Sequence, residues 1–141
     1  AVSLEGRVNI AEFNSFVDNR IGIKVFGDYN ELFRNNFIRN TYCVSIAPDA
    51  AKTLVMNNLF LNSYNTGLIS ELEKSDSTKV TVKYNGFHGN PFHSNLNLGK
   101  YNFFVTPKFT AEEEHYWPLL MGSFYDRNNP FDAIVGAFDS N

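Results

Sequence analysis

The apolar residues of the first sixty positions recur at intervals of three and four, which is the spacing of one face of an α-helix. Between residues 10 and 19 this face comprises Ile10, Phe13, Phe16 and Val17. Similar spacing predicts a second helix from about residue 30, a third from residue 48 to 59 and a short helical stretch over residues 69–74. The pair Asn9 and Glu12 has the form of a helix capping box. The N-terminal half is therefore predicted to be rich in helix.

Alternation of apolar and polar residues predicts strands between and after these helices. Residues 21–26 and 41–46 each predict a short strand, and residues 79–84 show the clearest alternation. Residues 101–105 form the natural antiparallel partner of 79–84, so that Asn85–Gly99 becomes the long loop of a β-hairpin. A second capping box, at Thr110 and Glu113, predicts a C-terminal helix over residues 111–117.

This order of elements predicts an α+β fold: N-terminal helices and short strands, then an antiparallel β-hairpin with a long loop, then a C-terminal helix. The length of 141 residues fits one domain. We identify no linker and no internal repeat, so residues 1–141 are predicted to form a single domain.

Charge and hydropathy narrow the classes of function. The net charge of −3 and the pI of about 5.5, with no cluster of Lys or Arg, argue against nucleic-acid binding. The apolar runs are too short to cross a membrane. The first residues lack the basic region and apolar core of a signal peptide and look like a native start without its initiator Met. We expect synthesis in the cytoplasm and no membrane partner.

The sequence offers no familiar catalytic or metal-binding pattern. Cys43 lies in a predicted strand without a basic neighbour, which is typical of a small buried hydrophobe rather than a nucleophile. His88 and His93 have no acidic residue or Cys beside them, and only the distant His115 could join them in a zinc site. The nucleophile-elbow, P-loop and dinucleotide patterns are missing. We predict no metal, no cofactor and no catalytic residue.

Two compositional biases favour a role in protein contacts. The chain has 14 Phe, 7 Tyr and nineteen Asn. Protein–protein interfaces are often built from rigid aromatic side chains together with amides that form adaptable hydrogen bonds. The same Asn residues fit turns and caps equally well. Two predicted interface residues, Phe87 and Phe92, lie in the Asn85–Gly99 loop. The others lie in the C-terminal segment and are Tyr116, Trp117, Phe124, Tyr125, Phe131 and Phe138.

One segment resembles a known family. The run His115–Met121, followed by the Asn-Asn-Pro-Phe of residues 128–131, resembles LysM-like tail and baseplate proteins of bacteriophages. In that pattern an acidic helix runs into Trp, then into a stretch rich in Leu, Ile and Met, and then into an Asn-Pro-Phe turn. The Tyr-Gly-Asp/Asn-Pro that usually precedes the Trp is missing, and residues 123–127 lengthen the gap. The resemblance implies a virion protein and assigns no role to any residue.

The sequence therefore predicts a non-enzymatic structural subunit of a large assembly, and specifically a bacteriophage virion protein of the tail, neck or capsid surface. Its expected location is the virion, after synthesis in the host cytoplasm. The expected partners are other structural subunits, including copies of itself. The alternative is a small cytosolic enzyme or ligand-binding domain that uses the Asn85–Gly99 loop. A closed pocket with convergent titratable groups would indicate that alternative.

Overall fold

The structure, a computed structural model, describes residues 2–6, 8–72, 80–98 and 101–104, and these fold as a parallel β-solenoid. The described residues contain no helix. Their strands, in chain order, are β1 (Val2–Leu4), β2 (Ile10–Glu12), β3 (Ser15–Val17), β4 (Ile21–Val25), β5 (Glu31–Phe33), β6 (Asn36–Ile38), β7 (Tyr42–Ile46), β8 (Thr53–Met56), β9 (Leu59–Leu61), β10 (Thr66–Ser70), β11 (Val80–Lys83), β12 (Gly86–His88) and β13 (Phe92–Ser94).

Each coil of the solenoid contributes one strand to each of three parallel sheets. Sheet A has the order β1-β4-β7-β10-β13, sheet B the order β2-β5-β8-β11 and sheet C the order β3-β6-β9-β12. Within a coil the chain passes from sheet A to B to C, so the coils have A/B, B/C and C/A corners. The bridge between Gly86 and Phe103 extends sheet C into a fifth coil. Since the strands of each sheet pair with the equivalent strands of neighbouring coils, side chains at equivalent positions lie above one another along the axis.

Successive coils differ in length mainly in the connections that follow sheet A. Equivalent B/C-corner residues are separated by 21, then 23, then 27 positions. Most of the added residues follow the strands of sheet A, in the connections 26–30, 47–52 and 71–79, and one lies in the C/A connection 62–65. The path from sheet B to sheet C keeps its length, and this constancy keeps the two sheets in register.

The corners follow a unit of five residues: a three-residue strand and two corner residues. At each described corner one residue has a positive φ, and a small polar residue follows it and points inward. The non-glycine residues with positive φ, between 50° and 61°, are Val8, Phe13, Asp18, Tyr29, Arg34, Arg39, Lys52, Asn57, Asn62 and Tyr84. The left-handed conformation turns the chain sharply, and it is unfavourable for β-branched and bulky residues. The packing of the coils must therefore hold these corners in place.

A column of phenylalanine rings fills the interior behind sheet C. Phe16, Phe37, Phe60 and Phe87 stack with centroid distances of 5.1, 5.1 and 4.6 Å and nearly parallel planes. Such stacked rings add stability beyond the area they bury. Sheet A faces this column with small residues. A Cβ on Gly22 would lie 3.1 Å from the Phe37 ring and 2.6 Å from the Cys43 carbonyl oxygen, so the column has no room for a side chain there.

The structure overturns the predicted α+β fold and the predicted helices. The segments expected to be helical at 10–19, near 30 and at 48–59 are pairs of short strands joined by sharp corners. The residues assigned to one helical face in fact mix inward residues, such as Phe16, with outward ones. Two members of the first predicted helical face show the error, because Ile10 is 61% and Phe13 47% exposed. The expectation of no internal repeat is also wrong, because the fold is a repeat.

The strand predictions at 21–26, 41–46 and 79–84 are confirmed as β4, β7 and β11. The antiparallel hairpin is wrong, because β11 pairs in parallel with β8. The predicted loop Asn85–Gly99 is wrong as well, because it contains β12 and β13. The predicted C-terminal helix lies outside the described residues, and the single-domain assignment stays a prediction.

Candidate functional site

An unbroken column of asparagines runs along the B/C corner. We call it the central Asn ladder, and its members are Asn14, Asn35, Asn58, Asn85 and Asn102. At each step the backbone N–H and the side-chain Nδ2 of one Asn both donate to Oδ1 of the next. At Asn58 these two bonds to Asn85 measure 2.8 and 3.1 Å. The amides therefore link consecutive coils where the backbone leaves the sheet pattern.

The same amides also bind the carbonyls that the corners would otherwise leave unpaired. Nδ2 of Asn58 donates to the Leu32 oxygen at 2.9 Å and to the Met56 oxygen at 3.0 Å. Nδ2 of Asn85 repeats the arrangement one coil later, at 2.8 Å from the Val55 oxygen. Fully satisfied buried networks of this kind specify one register of packing. The ladder holds the fold together and offers no free group for chemistry.

The other two corners carry interrupted versions of this ladder. At the A/B corner Nδ2 of Asn9 donates to Oδ1 of Asn30 at 2.8 Å, but Thr53 follows in the next coil. At the C/A corner the column is Asn19, Asn40, Ser63, Asn90. In the described part of the chain the buried hydroxyls of Thr53 and Ser63 have no hydrogen-bond partner. The two interruptions are therefore breaks in the columns of inward polar side chains.

On the outside of the solenoid, the positive-φ corner residues of neighbouring coils form cation–π contacts and an ion pair. The Arg34 guanidinium lies 4.5 Å from the centre of the Phe13 ring, and Lys52 Nζ lies 4.7 Å from that of Tyr29. Arg39 and Asp18 form a two-pronged ion pair at 2.9 and 3.0 Å. Exposed cation–π and ion pairs each contribute about 1 kcal/mol or less. These contacts help to align the corners and do not define a binding site.

The first coil, residues 2–6 and 8–19, has an outer side that no other described residue covers, and we call it the open first coil. Its strands β1, β2 and β3 each end a sheet and have no neighbour on one side among the described residues. Val8 is 70%, Ile10 61% and Phe13 47% exposed. Within the described chain, Oδ1 of Asn9 and of Asn14 accepts no hydrogen bond, although the equivalent atoms of Asn30 and Asn35 accept two each. The first coil thus has the bonding pattern of a coil that lacks its neighbour.

A shallow depression of about 580 Å³ lies where the A/B corners of the first three coils meet. Its lining residues are Glu5, Gly6, Phe26, Gly27, Asp28 and Asp49. The three carboxylates give it a negative lining with no nucleophile. Among the described residues no three of His, Cys, Asp and Glu come together as a metal site would require. The depression has no arrangement that points to a reaction.

The interpretation of Cys43 as a buried hydrophobe is confirmed. It is fully buried, and burial raises the pKa of its thiol to about 12, although hydrogen bonds from Asn40 act in the opposite direction. A thiol with this pKa is protonated at neutral pH and is a poor nucleophile.

The three histidines of the sequence analysis do not form one set in the described chain. His93 lies 5.8 Å from the Phe87 ring and 5.4 Å from the Phe104 ring. Its Nδ1 is 3.2 Å from Nδ2 of Asn90. Burial and the charge of His88 lower the pKa of His93. His115 lies outside the described residues.

The structure separates the two predicted interface residues of the Asn85–Gly99 segment. Phe87 is fully buried in the ring column, so its side chain is not available to a partner. Phe92 is 67% exposed on β13. The remaining predicted interface residues lie outside the described residues, and they are Tyr116, Trp117, Phe124, Tyr125, Phe131 and Phe138. Sequence reasoning missed the first coil, although the five-residue spacing of Asn9, Asn14 and Asn19 marks it.

Comparisons with protein-family models, with characterised proteins and with solved structures found no match to this chain. A helix with the length and hydropathy needed to span a membrane does not occur among the described residues. Any function must therefore be argued from the geometry, and the open first coil is its most distinctive surface.

Proposed function

We propose that this chain is a non-enzymatic structural subunit that associates with copies of itself through its first coil. The observation that carries the proposal is the unfinished bonding of that coil. Three strands end their sheets at the same end of the solenoid, with apolar side chains exposed around them. Exposed strand edges readily pair with another chain unless the protein blocks them. Terminal coils of solenoids are otherwise expected to be polar on their outer side.

The side-chain oxygens of Asn9 and Asn14 are the polar groups that this end offers to a partner. Inside the solenoid, Oδ1 of each ladder Asn accepts from the backbone N–H and the amide of the preceding coil. A partner matching Asn9 and Asn14 therefore needs amides about five residues apart on sharp corners. Strand addition supplies main-chain hydrogen bonds, and the matched amides supply the register.

The described residues favour a structural role over the enzymatic alternative. The buried amides of the central Asn ladder bond between coils, and the single Cys is held protonated. The alternative enzyme or ligand-binding domain relied on a long Asn85–Gly99 loop, and that segment instead carries two strands of the solenoid. The assignment to a bacteriophage virion stays a prediction, because the residues of that resemblance, 115–131, lie outside the described chain.

Sedimentation velocity of the full chain over a wide range of concentrations tests the proposal. We expect the mass to rise with concentration, and we expect the double variant Val8→Lys with Ile10→Lys to stay monomeric because it places charge on the open edge. The control is Tyr64→Lys, which adds the same charge at a residue that is 64% exposed but lies in the third coil. A wild-type chain that is monomeric throughout, or a control that dissociates equally, would show the proposal to be wrong.

A further inference from the structure

The amides of the central Asn ladder have a direction along the solenoid axis. In the interior each ladder Asn donates its backbone N–H and its Nδ2 to the Oδ1 of the next coil, and its own Oδ1 accepts from the coil before. Asn35, for example, accepts from Asn14 and donates to Asn58. The Oδ1 acceptors therefore face the start of the solenoid, and the donors that they bind face its other end.

The open first coil keeps this direction and therefore exposes acceptors. The backbone N–H and Nδ2 of Asn14 both donate to Asn35, and those of Asn9 both donate to Asn30. Each of the two Nδ2 groups also donates to a carbonyl oxygen of the first coil itself. The corner amides thus point away from the open side, and a partner has to bring the N–H groups that the two Oδ1 atoms accept.

A second first coil is a poor partner for this surface. Two first coils that met face to face would bring Oδ1 acceptors together while the corner amides of both copies pointed away, and a buried acceptor without a donor is destabilising. The strand edges β1, β2 and β3 could pair in either arrangement, so the corners decide. Charge has the same effect, because Glu5 and Glu12 are exposed and the described residues of this coil include no Lys or Arg.

The opposite end of the described solenoid has the complementary character. It is the end towards which the ladder amides donate, and the described ladder reaches it at Asn102. Residues 80–98 and 101–104 contain Lys83 and no Asp or Glu. Opposite charges on two surfaces favour their encounter and fix their relative orientation.

We propose that the first coil of one copy binds the opposite end of a second copy, so that the subunits associate head to tail. This inference rests on the proposed function, in which the first coil mediates self-association, and it adds which surface of the second copy the first coil meets. Head-to-tail contacts use two different surfaces, and they build rings or open filaments rather than closed two-fold dimers.

Sedimentation of wild-type chains mixed with a blocked variant tests the inference. The double variant Val8→Lys with Ile10→Lys has a blocked first coil and an unchanged opposite end. In a head-to-tail assembly it binds the first coil of a wild-type chain and then stops further growth. We expect the fluorescently labelled variant to sediment with wild-type chains, and we expect an equal mixture to contain oligomers of about two subunits or fewer. The control Tyr64→Lys should enter the oligomers without shortening them.

The other outcomes distinguish this inference from the proposed function. Wild-type chains that stay monomeric on their own would contradict both. Wild-type chains that associate while the blocked variant sediments as a monomer would indicate a two-fold contact between first coils. That result would overturn the head-to-tail inference and leave the proposed function standing.

Carbodiimide cross-linking locates the contact directly, because it joins a carboxylate to a lysine amine that lies within ion-pair distance. The sample is an equal mixture of ¹⁵N-labelled and unlabelled wild-type chains, and the linked peptides are identified by mass spectrometry. We expect links from Glu5 or Glu12 to a lysine of residues 80–104 that join a labelled chain to an unlabelled one. Oligomers without such links would contradict the head-to-tail contact.

Discussion

The B/C and C/A corners use the same plan but differ at one position of the third coil. At the B/C corner Asn58 accepts two hydrogen bonds from Asn35 and donates two to Asn85. At the C/A corner Ser63 occupies the equivalent position, and its buried hydroxyl has no partner in the described chain. One corner is thus a continuous network and the other is two fragments. The comparison indicates that the fold tolerates a broken ladder at one corner while an intact ladder holds the next.

The largest expected effect is the loss of the intact ladder. Asn58→Ala leaves the Asn35 backbone N–H and the Leu32 carbonyl without their buried partners, and each unpaired group costs about 1–3 kcal/mol. We expect the free energy of unfolding, measured by urea titration, to fall by about 3–5 kcal/mol. The matched variant Ser63→Ala removes a hydroxyl without a partner and should change it by about 0.5 kcal/mol or less. Equal losses at both positions would remove the distinction between the corners.

A smaller and opposite effect is expected from completing the broken ladder. Ser63→Asn places an Oδ1 atom beside Asn40 in the position that the Oδ1 of Asn58 has beside Asn35. The backbone and side-chain amides of Asn40 can then donate to it. One or two new buried hydrogen bonds should raise the free energy of unfolding by about 1 kcal/mol. Ser63→Leu is the control, since its branched side chain has as many heavy atoms as that of Asn but is larger and lacks the amide, and it should be destabilising. A gain from Leu as large as that from Asn would mean that volume, and not hydrogen bonding, limits this corner.

The sequence contains a pattern that predicts the corners of this fold, although the search for helical spacing did not reveal it. Asn9, Asn14 and Asn19 are five apart, and Asn30, Asn35 and Asn40 repeat them 21 positions later. That pattern predicts corners with inward amides. It was hidden because a three-residue strand is too short for alternation to be clear. Two of the five-residue strands of sheet A, β4 and β7, were predicted correctly, whereas β10 was missed because residues 69–74 were wrongly predicted to begin a helical stretch.

What the sequence could not give is the pairing of the strands. Residues 79–84 form a strand on alternation alone, but whether that strand runs parallel or antiparallel to its neighbour depends on contacts far along the chain. The connections after sheet A also vary in length, so a repeat of fixed period is lost after the second coil. The open first coil follows from the order of the strands in the sheets, and that order becomes visible only in the structure.

The smallest predicted effect concerns pH and again separates the two corners. His93 bonds to Asn90 of the C/A column through Nδ1, and in this contact the neutral ring accepts from the amide. Burial and the charge of His88 lower the pKa of His93 in the folded state. A lowered pKa means that the unfolded chain binds the proton more readily. The stability that the neutral ring contributes is therefore complete above the pKa of His in the unfolded chain, about 6.5, and is lost as the pH falls below that value.

We expect the melting temperature to decline between about pH 7 and 5 in the wild type and to decline less in His93→Gln. The central Asn ladder of the B/C corner contains no histidine. Asn58→Ala should therefore have a lower melting temperature than the wild type but the same dependence of that temperature on pH. A His93→Gln profile parallel to that of the wild type would mean that the Asn90–His93 contact does not link the C/A corner to pH.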